Sequence, residues 1–306
     1  MSETLLACDW GTTHLRAWVL GDNGEVLRRG DFPLGVSRLQ PGEAAARFRD
    51  EVRPQLQAQT LPAILCGMVG STLGWTVAPY LTCPADAAAL RQALVEVEPG
   101  GAGVRIVPGL KCEGLDGAAE VMRGEETQAF GWLSLQPERR RGRQLVCHPG
   151  THAKWMIIED GAVSRFLTAM TGELFEVLRR HSVLRTDAEP DDEAAFDLGV
   201  SAAGGGEALS TRLFTVRTRT VAGDLAPEAS ASYLSGLLIG SEIGSMRRLL
   251  DLKPGADVAL IGDPGLTHWY ARALRARGLE PSLHHGDETA IAGLWSLHQG
   301  DHHDPR

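Results

Sequence analysis

The chain has 306 residues, which is enough for one large domain or two domains of ordinary size. Hydrophobic residues make up 43% of it and charged residues 23%, a composition that excludes disordered, collagen-like and coiled-coil proteins. The 30 basic and 39 acidic side chains leave a net charge of −9. Because a mildly acidic surface does not attract the nucleic-acid backbone, we expect no nucleic-acid partner.

The sequence also indicates where the protein resides. No apolar run reaches the roughly 18 residues that span a membrane, and the N-terminus lacks the basic and apolar segments of a signal peptide. We therefore expect no membrane partner and a cytoplasmic location. The 5 cysteines are widely separated and form no Cys-x-x-Cys pair, which is typical of reduced thiols rather than of disulfides or zinc ligands.

Two groups of three strands are predicted, separated by about 140 residues. The predicted strands are 4–8, 15–20 and 25–29 in the first group, and 144–148, 154–159 and 162–168 in the second. Gly21–Gly24 has the turn chemistry of a β-hairpin. The repeat predicts two domains of the same construction, 1–140 and 141–306, each beginning with a turn that faces phosphate.

Helices and strands alternate elsewhere, which predicts an α/β fold. In the first half the predicted elements are a helix at 43–58, a strand at 63–67, a helix at 84–97 opened by Pro84, a strand at 103–107 and a helix at 117–133. In the second half they are helices at 172–182, 190–200 and 227–250, a strand at 257–261, a helix at 265–278, a strand at 281–284 and a last helix. The basic cluster 139–143 is interpreted as a solvated linker between the domains.

The turn after the first strand has the composition of a phosphate-binding loop. Gly11 is followed by Thr12 and Thr13, so backbone N–H groups and hydroxyls can point outward with no side chain in the way. Asp9 at the strand end could hold Mg²⁺ directly or through water, and Arg16 could neutralise phosphoryl oxygens. The alternative is an ordinary hairpin in which Asp9 makes an Asx turn.

A similar turn follows the first strand of the second group. Gly150 and Thr151 repeat the Gly-Thr pair, and Lys154 follows within a few residues, as Arg16 does in the first turn. Two such turns facing each other across a cleft would clamp the phosphates of a nucleotide. The sequence therefore predicts nucleotide binding by paired hairpins.

Two consecutive carboxylates, Glu125 and Glu126, lie near the predicted start of a helix, close to Arg123. A carboxylate there could take the proton of a hydroxyl that attacks phosphorus. An exposed acidic first turn, stabilised by the helix dipole, explains the same residues equally well. The pattern leaves both interpretations open.

Near the C-terminus, a predicted strand runs into Gly262 and is followed within three residues by Gly265. This strand, glycine turn and helix could form the floor of an adenosine site. The spaced glycines of the dinucleotide fingerprint and the G-x-x-x-x-G-K-[ST] P-loop are both missing from the sequence. A P-loop is thereby excluded as the source of nucleotide binding.

Six blocks along nearly the whole chain resemble those of the 2-dehydro-3-deoxygalactonokinase family. They are 9–13 (DWGTT), 66–71 (CGMVGS), 78–80 (APY), 122–128 (MRGEETQ), 149–155 (PGTHAKW) and 170–175 (MTGELF). The two turns and 262–265 also resemble the phosphate loops and adenosine turn of the wider sugar kinase/Hsp70/actin superfamily. The resemblance implies an α/β fold of two ribonuclease H-like domains with an interdomain cleft.

The family implies ATP and Mg²⁺ as cofactors and transfer of the γ-phosphoryl group to the 6-hydroxyl of 2-dehydro-3-deoxy-D-galactonate, in galactonate catabolism. The implied partners are ATP and a small sugar acid, and a homodimer is left open. One alternative is a kinase of the same fold for another 2-keto-3-deoxy sugar acid or a sugar. A second is a non-catalytic nucleotide-binding regulator, which would bind ATP without forming a phosphorylated small molecule.

The turn chemistry and the resemblance together give a set of expected site residues. The expected catalytic residues are Glu125 as the base, Asp9 with Mg²⁺, and Lys154. The expected cofactor-binding residues are Gly11, Thr12, Thr13, Arg16, Gly150, Thr151, His152, Gly262 and Gly265. The expected substrate-binding residues are Ser71, Trp75, Tyr80 and Arg123, with Arg123 facing the carboxylate of the sugar acid.

Some of these residues depart from the superfamily pattern. Glu125 stands where related sugar kinases have Asp, so Glu126 and Asp9 remain alternatives for the base. His14 stands where Asn is expected. Trp75 could equally pack within its own domain. Residues 287–290 (DETA) resemble a motif that precedes the last helix, and are therefore expected in the second domain.

Overall fold

A computed structural model describes residues 2–97, 103–205 and 208–299. Contacts divide the described residues into two units. The first unit contains 2–97, 103–143, 156–166 and 286–299, and the second contains 144–155, 167–205 and 208–285. These units differ from the predicted domains, 1–140 and 141–306, in the placement of 156–166 and of the last helix.

The strands and helices take the following bounds. The strands are β1 (Glu3–Trp10), β2 (Leu15–Gly21), β3 (Val26–Phe32), β4 (Ala63–Cys66), β5 (Tyr80–Thr82), β6 (Val95–Val97), β7 (Val104–Ile106), β8 (Gly109–Glu113), β9 (Ala119–Met122), β10 (Arg143–His148), β11 (Ala153–Glu159), β12 (Ala162–Ala169), β13 (Asp257–Gly262) and β14 (Glu280–His285). The helices are α1 (Ala44–Arg47), α2 (Arg53–Gln55), α3 (Ala87–Gln92), α4 (Glu125–Leu135), α5 (Thr171–His181), α6 (Glu193–Ala202), α7 (Leu209–Arg212), α8 (Thr215–Ala222), α9 (Ser230–Leu249), α10 (Pro264–Ala276) and α11 (Gly286–Gln299).

The first sheet has the strand order β3-β2-β1-β4-β7-β6. β1 is buried from Leu5 to Trp10, as expected of a central strand that is covered on both faces. A π-helical turn, Phe48–Val52, joins α1 to α2 and packs its apolar side chains into the same core as the sheet. Because β1 and β4 are parallel, Asp9 lies opposite Cys66 and the carboxyl ends of the two strands meet.

Two predicted helices are wrong in extent. The helix predicted at 84–97 is only α3, because the side chain of Asp86 caps it by accepting from the Ala89 amide, and residues 95–97 form an edge strand instead. The helix predicted at 117–133 begins at Glu125, because Gly124 has a φ of +109° that no helix allows. The residues before it form β9, in a small sheet of order β5-β8-β9 that the sequence did not predict.

The second sheet has the order β12-β11-β10-β13-β14. Its first four strands repeat the order of β3-β2-β1-β4, as the two groups of strands in the sequence predicted. β13 runs parallel to both β10 and β14. The predicted linker at 139–143 overlaps the end of a short 3₁₀ turn, Pro137–Arg140, and its last residue, Arg143, is the first residue of β10.

Glycines allow two helix pairs to pack at very short distance. A Cβ on Gly131 of α4 would lie 1.8 Å from the carbonyl oxygen of Thr289 in α11. In the second unit, a Cβ on Gly236 of α9 would lie 2.0 Å from the carbonyl oxygen of Phe196 in α6. Backbones this close leave no room for any side chain at these positions. Among the residues that the structure describes, no helix is long and apolar enough to cross a membrane.

Candidate active site

The first turn, which joins β1 to β2, is held by its own backbone and by a neighbouring loop. The amide of Gly11 donates to the carbonyl of His14 at 2.9 Å, and the carbonyl of Thr13 accepts from the amide of Gly35 at 3.2 Å. Gly35 must be glycine, because its Cβ would lie 2.2 Å from the Thr12 carbonyl oxygen. Thr12, Thr13 and His14 are exposed, so the turn offers its polar groups to a ligand.

Asp9, Arg16 and Asp287 form a row of alternating charges at the carboxyl end of β1. Arg16 donates through Nη2 to Asp9 Oδ2 and through Nη1 to Asp287 Oδ1, both at 2.5 Å. Asp287 lies in the first turn of α11, where the helix dipole favours a carboxylate. The expected phosphate-binding cation is therefore held between two acids. The motif at 287–290, expected in the second domain and before the last helix, lies within that helix and belongs to the first unit.

A pocket of 320 Å³ adjoins these charges. It is lined by Asp9, Gly11, Thr13, His14, Arg16 and Asp31. Four of these were expected site residues, and Asp31 lines the pocket because it pairs with Arg16 across β2 and β3. A glycine turn next to a carboxylate and a guanidinium provides the donors and the cation ligand that a phosphate group requires.

Gly67 brings the start of α4 close to the end of β1. A Cβ on Gly67 would lie 3.1 Å from Asp9 Oδ1, and a Cβ on Gly124 would lie 3.2 Å from the Cα of Gly67. Gly67 also has a φ of +87°, which side chains rarely adopt. Since Glu125 follows Gly124 directly, this packing places the predicted base near Asp9 within the first unit.

The two consecutive glutamates have different surroundings. Glu125 is half-buried and accepts from the amide of Arg123 at 3.1 Å. Glu126 is fully buried, and its two oxygens accept from the amide of Gly124 at 2.9 and 2.7 Å. Burial, followed by repulsion from Glu125, raises the pKa of Glu126 to about 7. Glu125 is thus the more accessible carboxylate, and Glu126 closes the start of the helix.

Arg123 is enclosed on the far side of this helix start. It is 8% exposed, its Nη2 donates to the carbonyl of Ala78 at 2.8 Å, and its guanidinium lies 4.4 Å from the ring centre of Tyr80. Within the described residues, its Nε and Nη1 have no hydrogen-bond partner. Unsatisfied N–H groups on a buried cation are costly, so this position is suited to an anion. The ring of Tyr80 and the carbonyl of Ala78 are its contacts at this position.

The other two expected substrate residues lie in that loop. Trp75 is half-buried and packs against Phe48, with ring centres 5.6 Å apart. It therefore contributes to the core of the first unit, which is the alternative interpretation given above for this residue. The Ser71 hydroxyl oxygen accepts from the amide of Leu73 at 3.2 Å and stabilises the loop.

The second turn, between β10 and β11, is held from outside by α5. The carbonyl of Thr151 accepts from the amide of Glu173 at 2.9 Å, and Nε2 of His152 lies 2.5 Å from Oε2 of the same glutamate. A Cβ on Gly172 would lie 2.4 Å from the carbonyl oxygen of Gly150, so the helix approaches the turn at backbone distance. A Cβ on Gly150 itself would meet nothing within 4 Å. The turn is rigidly supported and leaves its glycine face open.

Lys154 lies just inside β11 and is 7% exposed. Its Nζ donates to Oγ1 of Thr168 on the adjacent strand at 2.7 Å. The expected cation of the second turn is therefore buried and hydrogen-bonded to the neighbouring strand.

The two glycines of the predicted adenosine turn have different surroundings. A Cβ on Gly262 would lie 3.5 Å from the carbonyl oxygen of Pro149, which places the end of β13 beside the second turn. The amide of Gly265 donates to Oδ1 of Asp263 at 2.9 Å, and Asp263 is the N-cap of α10. The Gly265 amide is therefore used within the helix cap, and Gly262 is the glycine that leaves space next to the turn.

Comparison with known proteins identifies the family. The profile of the 2-keto-3-deoxy-galactonokinase family matches residues 9–297. The chain belongs to this family. The 2-dehydro-3-deoxygalactonokinase of Escherichia coli (strain K12) is 36% identical over 300 residues, covering 97% of this chain and 98% of the relative.

Solved structures agree with the family assignment. A crystal structure of a candidate 2-dehydro-3-deoxygalactonokinase from Sinorhizobium meliloti has a TM-score of 0.84 and 35% identity, covering 96% of this chain and 97% of that one. Component A of (R)-2-hydroxyglutaryl-CoA dehydratase from Acidaminococcus fermentans has a TM-score of 0.51 at 13% identity, over 97% and 99% of the two chains, and shares the fold alone. The predicted α/β fold is confirmed.

Proposed function

We propose that this member of the 2-keto-3-deoxy-galactonokinase family is an ATP-dependent kinase that phosphorylates the 6-hydroxyl of 2-dehydro-3-deoxy-D-galactonate. The full-length similarity to the Escherichia coli enzyme carries the proposal. Two features of the described residues support it independently: a pocket lined by a glycine turn, a carboxylate and a guanidinium at the end of β1, and a half-buried carboxylate at the start of α4.

In the proposed reaction, the 6-hydroxyl oxygen forms a bond to the γ-phosphorus while the bond from that phosphorus to the β,γ-bridging oxygen breaks. ADP leaves with the electron pair, and the hydroxyl proton passes to Glu125 Oε1 or Oε2. Because the transition state is loose, the protein contributes mainly by positioning the reactants and by compensating charge. Glu125 acts as the base because it is accessible, whereas the oxygens of Glu126 are occupied by the Gly124 amide.

Asp9 is the proposed Mg²⁺ ligand. Within the described residues, no group of three His, Cys, Asp or Glu side chains is arranged to hold a metal ion, but Mg²⁺ in kinases commonly takes one or two carboxylates together with phosphates and water. Asp9 fits this role because it lines the pocket at the end of β1, and the missing side chain of Gly67 leaves room next to Oδ1. When bound, Mg²⁺ neutralises charge on the transferred phosphate.

Each turn has a proposed share in holding the phosphates of ATP. In the first turn we assign the backbone of Gly11, the hydroxyls of Thr12 and Thr13, and the guanidinium of Arg16, which would exchange a carboxylate partner for a phosphoryl oxygen. In the second turn we assign Gly150, Thr151 and Lys154, with a minor share for His152 because its imidazole is already paired with Glu173. Gly262 and Gly265 remain the proposed adenosine side of this site.

The sugar acid is assigned to the loop and strand that precede α4. Arg123 supplies the positive charge for the substrate carboxylate. Tyr80, whose ring is stacked on the Arg123 guanidinium, forms one wall of the proposed site. Ser71 and Trp75 line the same loop. A buried guanidinium with unsatisfied N–H groups favours an acid over a neutral sugar.

The proposal is tested by coupling ADP release to a spectrophotometric readout with MgATP and either 2-dehydro-3-deoxygalactonate or its gluconate epimer as acceptor. We expect turnover with the galactonate and slow hydrolysis without acceptor. Faster turnover with the epimer would show that the gluconate epimer, and not the galactonate, is the preferred substrate. Tight ATP binding without any acceptor-dependent ADP release would instead favour a nucleotide-binding regulator.

A further inference from the structure

A buried carboxylate in the second unit has no part in the proposed reaction. Glu242 lies within α9 and is 7% exposed. Its Oε1 accepts from Nε1 of Trp155 at 2.6 Å, and its Oε2 accepts from the hydroxyl of Tyr270 at 2.8 Å. The side chain of Thr171 also hydrogen-bonds to it. Burial raises the pKa of Glu242 above its usual value, and these three hydrogen bonds oppose that rise.

The three donors to Glu242 are neutral groups. A carboxylate in a protein interior is costly unless its oxygens are fully hydrogen-bonded. An apolar side chain of similar volume would pack without this cost, so stability alone does not explain a glutamate here. What the carboxylate provides is a fixed arrangement of the three groups that donate to it.

Each donor belongs to a different element of the proposed nucleotide site. Trp155 follows Lys154 in β11. Thr171 is the first residue of α5, the helix whose next two residues support the second turn. Tyr270 lies in α10, which begins just after Gly262. One carboxylate therefore links the strand that carries the cation, the helix that holds the turn and the helix next to the adenosine glycine.

We propose that Glu242 is a positioning residue for ATP: through Trp155, Thr171 and Tyr270 it fixes the second turn in its nucleotide-binding arrangement. This inference rests on the proposed role of the second turn in binding ATP. It assigns Glu242 to nucleotide affinity and not to the chemical step, because Glu242 and its three donors all belong to the second unit, whereas the residues assigned to proton transfer belong to the first.

The variant that tests this inference is Glu242→Gln. A carboxamide has the same shape, but it has only one acceptor oxygen, so its NH₂ group would face either the Trp155 N–H or the Tyr270 hydroxyl. The Trp155 N–H cannot accept a hydrogen bond, and the Tyr270 hydroxyl can accept one from the NH₂ group only by ceasing to donate, so Glu242→Gln holds the three elements through a rearranged and weaker set of hydrogen bonds. The matched control is Tyr233→Phe, which removes another buried tyrosine hydroxyl of α9, bonded to Thr215 Oγ1 at 2.9 Å and directed toward α8.

Binding is measured by calorimetry with Mg²⁺ and a non-hydrolysable ATP analogue, and KM for the sugar acid is measured in the coupled assay. For Glu242→Gln we expect the dissociation constant of the analogue to rise by about tenfold. A change of this size corresponds to the loss of one well-formed hydrogen bond among those that hold the second turn in place. KM for the sugar acid should stay within about twofold, as expected when an interaction affects only the nucleotide. Tyr233→Phe should leave both constants unchanged.

Unchanged analogue binding in Glu242→Gln, with a lowered melting temperature, would show that the carboxylate is merely structural and would overturn the proposal. Equal losses in nucleotide binding and in sugar-acid KM would do so as well. If Glu242→Gln does not fold, Tyr270→Phe carries the same test, because it removes one of the three donors and keeps the ring. Calorimetry needs no acceptor, so an error in the proposed acceptor would leave this result intact.

Discussion

The turn at the end of β1 and the turn at the end of β10 follow the same order of strands but have different charged groups around them. Around the first turn lie carboxylates: Asp9 and Asp287 on either side of Arg16, with Glu125 at the nearby start of α4. Around the second turn lie a buried ammonium, Lys154, and a glycine face with open space. The comparison shows that strand order sets where a turn lies, while the elements packed behind it decide what the turn can bind.

The elements behind the two turns also differ. The first turn is backed by a loop and by α11, which comes from the far end of the chain, whereas the second is backed by α5, which follows β12 directly. In kinases of this kind, acids serve the metal and the proton, and N–H donors and cations serve the phosphates. We therefore expect substitutions near the first turn to affect proton transfer and metal use, and those near the second to affect nucleotide affinity.

The largest expected effect concerns the stability of the acidic region and its dependence on pH. Glu126 has a folded-state pKa of about 7 against 4.5 when unfolded, so the folded chain keeps a proton that the unfolded chain has lost. The free energy of unfolding should therefore fall as pH rises from 4.5 to 7, by about 3 kcal/mol at most, and then stay level.

This prediction is measured by urea unfolding of the parent chain and of Glu126→Gln at pH 5 and pH 8. The difference between the two pH values should be smaller in Glu126→Gln, because the amide does not titrate. An identical pH dependence in the two proteins would mean that Glu126 stays ionised over this range. The region around the first turn would then carry one more negative charge than we expect.

The next largest effect is on turnover. Glu125→Gln should lower kcat by about a hundredfold or more, because general-base catalysis commonly contributes this much, while ATP binding should hardly change. Glu126→Gln, assayed in parallel, is the matched control. If Glu126→Gln loses more turnover than Glu125→Gln, the base is the buried residue and the accessibility argument fails.

A third experiment compares the two turns directly through their glycines. Gly11→Ala and Gly150→Ala should both fold normally, because the added methyl group would lie 3.5 Å from the nearest atom at Gly11 and meet nothing within 4 Å at Gly150. If the turns bind phosphate through their backbones, the same methyl group should weaken nucleotide binding by about tenfold at each position, since a close backbone approach requires glycine.

Gly172→Ala provides the contrast. Its methyl group would lie 2.4 Å from the Gly150 carbonyl oxygen, so we expect a lower melting temperature as well as weaker binding, even though alanine favours helices. Normal nucleotide binding in Gly150→Ala would show that the open face of the second turn does not contact phosphate.

Local patterns account for what the sequence could predict. The two Gly-Thr turns and the strands on either side were recognisable because turn chemistry and strand periodicity depend on neighbouring residues. The pairing of Arg16 with Asp287 was not, since 271 positions separate them. The same holds for Glu242 and its donors, and for the burial of Glu126. The late start of α4 was missed because it depends on the positive φ at Gly124, and a glycine in the sequence does not by itself reveal its backbone angle.

The smallest expected effect is at His152, which was expected to bind the cofactor. Its imidazole is already 2.5 Å from Glu173, and both side chains are nearly half exposed; such pairs contribute about 0–1 kcal/mol. His152→Ala should therefore change nucleotide affinity by less than about threefold and leave the turn in place, since the Thr151 carbonyl still accepts from the Glu173 amide. The prediction is checked by measuring nucleotide affinity by calorimetry for His152→Ala and Glu173→Gln. A tenfold loss of nucleotide affinity confined to His152→Ala would mean that the imidazole leaves Glu173 to contact a phosphate oxygen. His152 would then join Lys154 as a phosphate-binding group of the second turn.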